Sequence, residues 1–349
     1  MARAAADVSR ALHLAARATL TVAALLAGGC AHERGAPGSV GAPAAPAPAA
    51  AATFSVPSAA AGPLRFVVYG DMRFTAASEH VASVPAARQA LVAQIATEAP
   101  AAVFLTGDVP WHGGDAGDYQ VYRAETAAWR QRDLPVYPAL GNHEFAQCAE
   151  AECLENWWQA FPVLRGRRWY SVAVGPRLVA IALDSDASLE AGAPQRDWLD
   201  AQLAALPATV DFVLVYLHHP PVADIQDGVA ADHNPRANER SLAADLEAAA
   251  ARTRVRYIVC AGHIHNYERF EEGGVVYLVT GGGGARPYEV VRGASDRYQQ
   301  PGFPNFHYLR FTLDGTILRG EMLRLEDYTA PVPGSWLLRD AFELRAGPR

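Results

Sequence analysis

Five short clusters in this 349-residue sequence carry side chains able to hold a metal ion: Gly70-Asp71-Met72-Arg73, Gly107-Asp108, Gly141-Asn142-His143-Glu144, Leu217-His218-His219-Pro220 and Gly262-His263-Ile264-His265. Asp, Asn and His together offer the mixed oxygen and nitrogen donors that suit Zn, Mn or Fe. Four clusters open with glycine, which lets the backbone turn sharply and come close to an ion. An isolated Asp after a strand is more often a turn or capping residue. Five such clusters in one chain point instead to a metal site.

The elements that must position these clusters follow from hydrophobic texture. From Leu64 onward, short apolar runs typical of buried strands alternate with stretches of helical period, which reads as α/β. Strands are expected at Leu64–Tyr69, Ala102–Leu105, Val136–Leu140, Trp169–Val174, Leu178–Leu183, Phe212–Leu217, Arg256–Ala261, Val275–Thr280, Phe306–Leu313 and Thr316–Leu323. Helices are expected at Ala86–Thr97, Asp118–Arg132, Gln195–Leu206 and Ser241–Arg252. All five clusters then fall at strand ends, where α/β sheets gather their chemistry.

The order GD, GD, GNH, H-x-P, GHxH resembles the calcineurin-like metallophosphoesterase superfamily over most of residues 64–325. Gly262-His263-Ile264-His265-Asn266-Tyr267-Glu268-Arg269 is similar to the GHxHxYER element of its purple acid phosphatase branch. Trp169-Tyr170-Ser171, Leu183-Asp184-Ser185, Trp198-Leu199 and Thr280 with Gly281 to Gly284 agree with that branch as well. The resemblance implies a four-layer α/β/β/α sandwich of two mixed sheets. It also implies a site for two divalent or trivalent ions (Fe, Mn or Zn), or for one. In that site Asp108 would bridge, Asp71 and His265 would bind the first ion, and Asn142, His218 and His263 the second. His143 would face substrate and stabilise developing charge or protonate the leaving oxygen, with Glu144 as a partner orienting its ring. His219, next to a ligand, would contact substrate or support the ligands.

Two departures from the pattern bear on the first ion. Where most of the superfamily reads GDxH, this chain has Arg73; where the purple branch reads GDxxY and gains a tyrosinate ligand, Gly107-Asp108-Val109-Pro110 runs into Trp111. Indole is not a metal ligand, so the first ion keeps Asp71, Asp108 and His265 with water, and no purple charge-transfer band is expected. Arg73 has two readings: its guanidinium grips a phosphate oxygen, or its charge stands in for the first ion at a mononuclear site.

Weaker signals lie nearby. His112 would reach the site or cap its loop, and residues 222–240, with Asp232-His233-Asn234 and Arg236, form a polar insertion where a lid or specificity loop would fall. Tyr267 and Arg269 are expected to pack and to pair, and Gly281 to Gly284 to form a tight turn. Cys148 and Cys153 are expected to form a local disulfide in an oxidising compartment, and Cys260 to be a buried thiol.

Composition narrows the class. All 30 basic residues are Arg, set against 37 acidic ones for a formal charge of -7, which argues against a nucleic-acid backbone as partner. The apolar run Ala18–Ala27 is too short to span a bilayer. It follows Arg3, Arg10 and Arg17 and ends in Leu26-Ala27-Gly28-Gly29-Cys30, which resembles a bacterial lipoprotein signal acylated at Cys30. Residues 1–29 thus read as leader, 30–63 as an Ala/Pro-rich tether, 64–325 as the phosphoesterase domain and 326–349 as an extension packed on it. The expectation is an exported, membrane-anchored lipoprotein facing the periplasm or cell exterior. It would hydrolyse small phosphomonoesters through a metal-bound hydroxide. The alternatives are a phosphodiesterase on nucleotide or glycerophosphodiester substrates and a non-catalytic metal- or phosphate-binding envelope lipoprotein.

Overall fold

The computed structural model describes residues 52–56, 62–227, 233–329 and 335–348. The expected leader, Cys30 and most of the expected tether lie outside the described residues. In chain order the elements are β1 (Phe54–Val56), β2 (Leu64–Tyr69), α1 (Pro85–Glu98), β3 (Val103–Leu105), α2 (Ala116–Glu125), α3 (Ala127–Arg130), β4 (Val136–Pro138), α4 (Glu150–Ala160), β5 (Tyr170–Val174), β6 (Leu178–Ala182), α5 (Pro194–Ala204), β7 (Phe212–Leu217), α6 (Ala237–Arg252), β8 (Arg256–Ala261), β9 (Tyr267–Glu272), β10 (Val275–Thr280), β11 (His307–Asp314), β12 (Ile317–Leu325) and β13 (Trp336–Arg345).

Two mixed sheets result, one ordered β1-β5-β6-β7-β8-β10-β9 and the other β13-β12-β11-β2-β3-β4. β6, β7, β8 and β10 run parallel in the first, as do β2, β3 and β4 in the second. Strands buried on both faces read as continuous apolar runs, as in Phe212–Leu217. Alternate residues then serve two cores: Phe212, Leu214 and Tyr216 join Phe66, Phe104 and Phe311 between the sheets, while Val213, Val215 and Leu217 meet Leu199 of α5 and Leu242 and Leu246 of α6. On the other side, α1 starts at Pro85, whose fixed φ suits a first turn, and buries Leu91, Val92 and Ile95. Each such side chain contributes roughly 1.5–3 kcal/mol. The arrangement is the α/β/β/α sandwich.

Several expectations need correction. Phe54–Val56, inside the expected tether, pairs in parallel with β5, because Phe54 packs against the rings of Tyr137 and Tyr170 at 5.7 and 5.6 Å. The C-terminal segment, for which no strand was expected, meets the domain as an edge strand, β13, antiparallel to β12. The helix expected over Asp118–Arg132 is broken at Thr126, whose hydroxyl donates to the Tyr122 carbonyl at 2.6 Å and so competes with the helical ladder. Helix α6 begins at Ala237, within the stretch expected to be a polar insertion. Helix α4 was not expected; it carries Cys153, which is disulfide-bonded to Cys148. Cys260 is buried and free.

Candidate metal centre

The parallel strands bring their C-terminal ends to one rim, and every expected ligand lies there. Asp71 follows β2, Asp108 follows β3, Asn142 and His143 follow β4, His218 and His219 follow β7, and His263 and His265 follow β8. Close backbone approach is built in: Gly107 has φ +95, and a Cβ there would lie 2.9 Å from both the Gly141 nitrogen and His218 Nδ1. Asp71, Asp108 and His218 are fully buried. The glycines after β10 pack on the Asp71 loop, where the Gly283 N–H donates to the Gly70 carbonyl at 2.8 Å.

The side chains converge in two groups. One oxygen or nitrogen from each of Asp71, Asp108 and His265 lies within 4.8 Å of the others, and the same holds for His218, His219 and His263. Asp108 links the groups, its Oδ1 lying 3.3 Å from His218 Nε2.

Donor chemistry tests whether cations fit. His218 Nδ1 donates to the Thr106 carbonyl at 3.0 Å, so its Nε2 presents a lone pair. That lone pair faces Asn142 Oδ1 at 2.9 Å and His263 Nδ1 at 3.2 Å. His265 Nδ1 donates to the Arg286 carbonyl at 2.7 Å, leaving Nε2 buried without a hydrogen-bond partner and 3.5 Å from Asp71 Oδ1. Acceptors facing acceptors are satisfied by a cation, and a carbonyl that holds the far ring nitrogen is the usual support of a ligating histidine. The residues fit a metal pair.

Electrostatics agree with this. Burial works to raise Asp108, but His218, His143 and Arg73 outweigh it and hold its carboxyl well below the usual range. Burial, aided by His218 and His219, pushes His263 well down, so its ring is neutral and able to ligate.

The residues around this core fall in places the sequence left open. Arg73 donates through Nε and Nη2 to Asp108 Oδ2 at 3.3 and 3.2 Å. The Trp111 indole stacks on His143 with centroids 4.7 Å apart, and the Arg73 guanidinium lies over the same indole at 5.2 Å. His143 Nδ1 donates to the Trp111 carbonyl at 2.6 Å, and its Nε2 lies 3.9 Å from Asp108 Oδ2. Burial lowers its pKa, with Asp108 working the other way. Glu144 does not orient that ring. It is buried and accepts the backbone N–H groups of Val109, Asp108 and Gly141 at 2.8, 3.0 and 2.7 Å, pinning two ligand loops together. His219 Nδ1 accepts from the Ser185 hydroxyl at 2.8 Å, and its ring lies 4.3 Å from that of His263. Burial, with His218 and Arg236, pushes it down to about 2. His112 packs its ring on Trp111 at 4.8 Å.

Sequence reading missed Tyr288, whose hydroxyl donates to the His263 carbonyl at 3.0 Å and whose ring lies 5.1 Å from His265. It sits in an irregular loop with no periodicity to mark it. Thr106 and Arg286 act at the histidines through carbonyl oxygens, which leave no side-chain signal.

No curated protein sequence matches the chain. Among solved structures it is similar to the purple acid phosphatase PPD1 from yellow lupin seeds, with a TM-score of 0.65 and 19% identity over 81% of this chain and 54% of that one. It is also similar to GAP50, the anchor in the inner membrane complex of Plasmodium (TM-score 0.57, 13% identity, 82% of this chain and 89% of that one). PhoD is a third (TM-score 0.57, 13% identity, 86% and 72%). The chain spans about half the length of the lupin protein, and at these identities the likeness is one of fold. Sequence carries the family: the model of the calcineurin-like phosphoesterases matches residues 64–267, a stretch that holds all five clusters, and the chain belongs to that family.

Proposed function

We propose that this protein is an exported, metal-dependent phosphoesterase acting on small phosphomonoesters. The observation that carries the reading is Asp108, shared between two groups of converging metal donors. In this reading Asp71, Asp108 and His265 hold one ion and Asn142, His218 and His263 the other. When bound, such a pair activates water and neutralises charge on the transferring phosphoryl group. The Trp111 carbonyl fixes the Nδ1–H of His143, leaving Nε2 as the atom that takes up a proton and, from the protonated ring, passes it to the leaving oxygen. Arg73 keeps Asp108 charged and offers the rest of its fork to a phosphoryl oxygen. The GHxHxYER element supports monoesters over diesters.

The test is metal content per chain after dialysis, beside turnover of p-nitrophenyl phosphate and its bis ester, in the wild type and Asp108→Asn. Two ions and monoester turnover are expected, with turnover lost by at least ~10²-fold in the variant. A wild type without metal overturns the site. Metal without turnover of either ester favours a binding protein, a reading the Arg73–Asp108 ion pair and the Plasmodium anchor's shared fold keep in view.

Export rests on Arg3, Arg10, Arg17, the apolar run and Cys30, and the Cys148–Cys153 disulfide supports an oxidising compartment. Cys30→Ser is expected to lose lipid labelling and to move the protein from the membrane fraction to the soluble one. Unchanged fractionation sinks the anchor.

A further inference from the structure

A second set of carboxylates lies outside the metal centre. Asp224 in the loop after β7, Glu268 on β9 and Asp296 in the loop between β10 and β11 each bring one oxygen within 4.8 Å of the others, and all three are buried. Buried like charges repel, and each costs several kcal/mol in lost hydration unless donors or a cation match it.

The donors present do not match them. Asp296 Oδ1 accepts the N–H groups of Arg269 and Tyr298 at 3.0 and 2.8 Å, and its Oδ2 meets Arg292. Glu268 Oε1 accepts the Asp224 N–H at 3.2 Å. Asp224 Oδ2 and Glu268 Oε2 are buried and accept nothing. Arg292 is divided among Asp296, the Tyr267 carbonyl and Asn266, and the Arg269 side chain is engaged by Asp340 and Glu271. Burial beside Asp224 and Asp296 pushes Glu268 up to about 8. The backbone also leaves room, since a Cβ on Gly293 would lie 2.7 Å from Asp224 Oδ1.

We propose that Asp224, Glu268 and Asp296 form a structural site for a hard divalent cation, Ca²⁺ foremost, distinct from the catalytic pair. The donors are all anionic oxygens, with no imidazole or thiolate to favour Zn or Fe, and Ca²⁺ accepts the irregular, partly bidentate geometry that three separate segments provide. The ion would clamp the loop after β7 to the loop between β10 and β11. Those two loops deliver His233 and Tyr288 to the catalytic rim, where the His233 ring lies 4.7 Å from His263 and 5.0 Å from Tyr288. Gln226 and Val291 already join them through hydrogen bonds of 2.8 and 3.1 Å.

The test uses the full protein loaded with its catalytic metals, in buffer alkaline enough to ionise Glu268. Ca²⁺ at about a hundredfold excess over its dissociation constant is expected to raise the melting temperature by about 5 °C and to add one Ca per chain by elemental analysis. Glu268→Gln and Asp224→Asn are each expected to lose both responses. Without Ca²⁺ both variants should melt no lower than the wild type, because one repelling charge is gone, so a folding defect is not mistaken for the effect. A wild type indifferent to Ca²⁺, or a Glu268→Gln protein with the same rise, overturns the proposal. Extra Ca²⁺ that survives Glu268→Gln but disappears in Asp71→Asn also overturns it, since the ion then belongs to the catalytic rim.

Discussion

Asp71, Arg73, Asp108 and His263 all occupy left-handed backbone, at φ 63, 46, 55 and 69. Each such non-glycine residue costs roughly 1–2 kcal/mol, and strain of this kind persists only where surrounding bonds enforce it. Here they do: the Asp71 N–H donates to the Gly107 carbonyl and the Arg73 N–H to that of Asp108, at 3.1 and 3.0 Å, while the His263 N–H donates to the Asp71 carboxylate at 3.0 Å. Trp111 belongs to the same scale. It stands where the purple branch has a tyrosine and cannot ligate, yet its indole contacts both Arg73 and His143. Trp111→Ala removes that face while leaving the carbonyl that holds His143 Nδ1. With stacking worth about 0.5–1.5 kcal/mol, kcat for p-nitrophenyl phosphate should fall roughly 2- to 10-fold with metal content unchanged. An unaltered kcat would mean that the stack does not position His143.

At the scale of elements, the site is a property of strand ends. β2, β7, β8 and β10 match their expected spans, because a strand buried on both faces is a local apolar run and its end is marked by Gly or His. What escaped was local structure without that texture. Helix α4 holds its buried residues, Cys153, Leu154 and Trp157, among Glu and Asn, and four of the six residues of β9 are charged. β1 is three residues long, and only the rings it meets make it a strand. Gly107 tests how tightly the strand ends must approach. Gly107→Ala forces a side chain onto left-handed backbone and against two ligand loops. A loss of about 2–4 kcal/mol in urea unfolding of the metal-free protein, with metal retention abolished, is expected. Wild-type stability and metal content in this variant would show that the loops can separate.

The whole molecule depends on two sheets held in register, and His307 joins them. It lies on β11 of one sheet, fully buried. Its Nε2 accepts from the Thr280 hydroxyl, at the end of β10 in the other sheet, at 3.1 Å, and its Nδ1 donates to the Asn305 carbonyl at 2.9 Å. Burial pushes it down to about 4, against about 6.5 in the unfolded chain. Between these values the unfolded chain binds more protons, so stability is full above the upper one and falls as pH drops towards the lower, by up to about 3 kcal/mol. Urea unfolding at stepped pH should show this slope in the wild type and a shallower one in His307→Gln. Equal slopes would assign the acid sensitivity elsewhere.

The sequence by itself determined the α/β class, most strand positions, the order of the ligand clusters and the family they mark. Those are local facts, carried by apolar runs and by glycine next to a ligand. Tertiary structure alone decided which donors face one another: Glu144 on three backbone amides rather than on His143, Arg73 on Asp108, Trp111 on His143, and Asp224, Glu268 and Asp296 drawn together from three segments. The reason is physical. Such contacts depend on how two sheets close and where irregular loops run, and neither leaves a periodic trace in the chain.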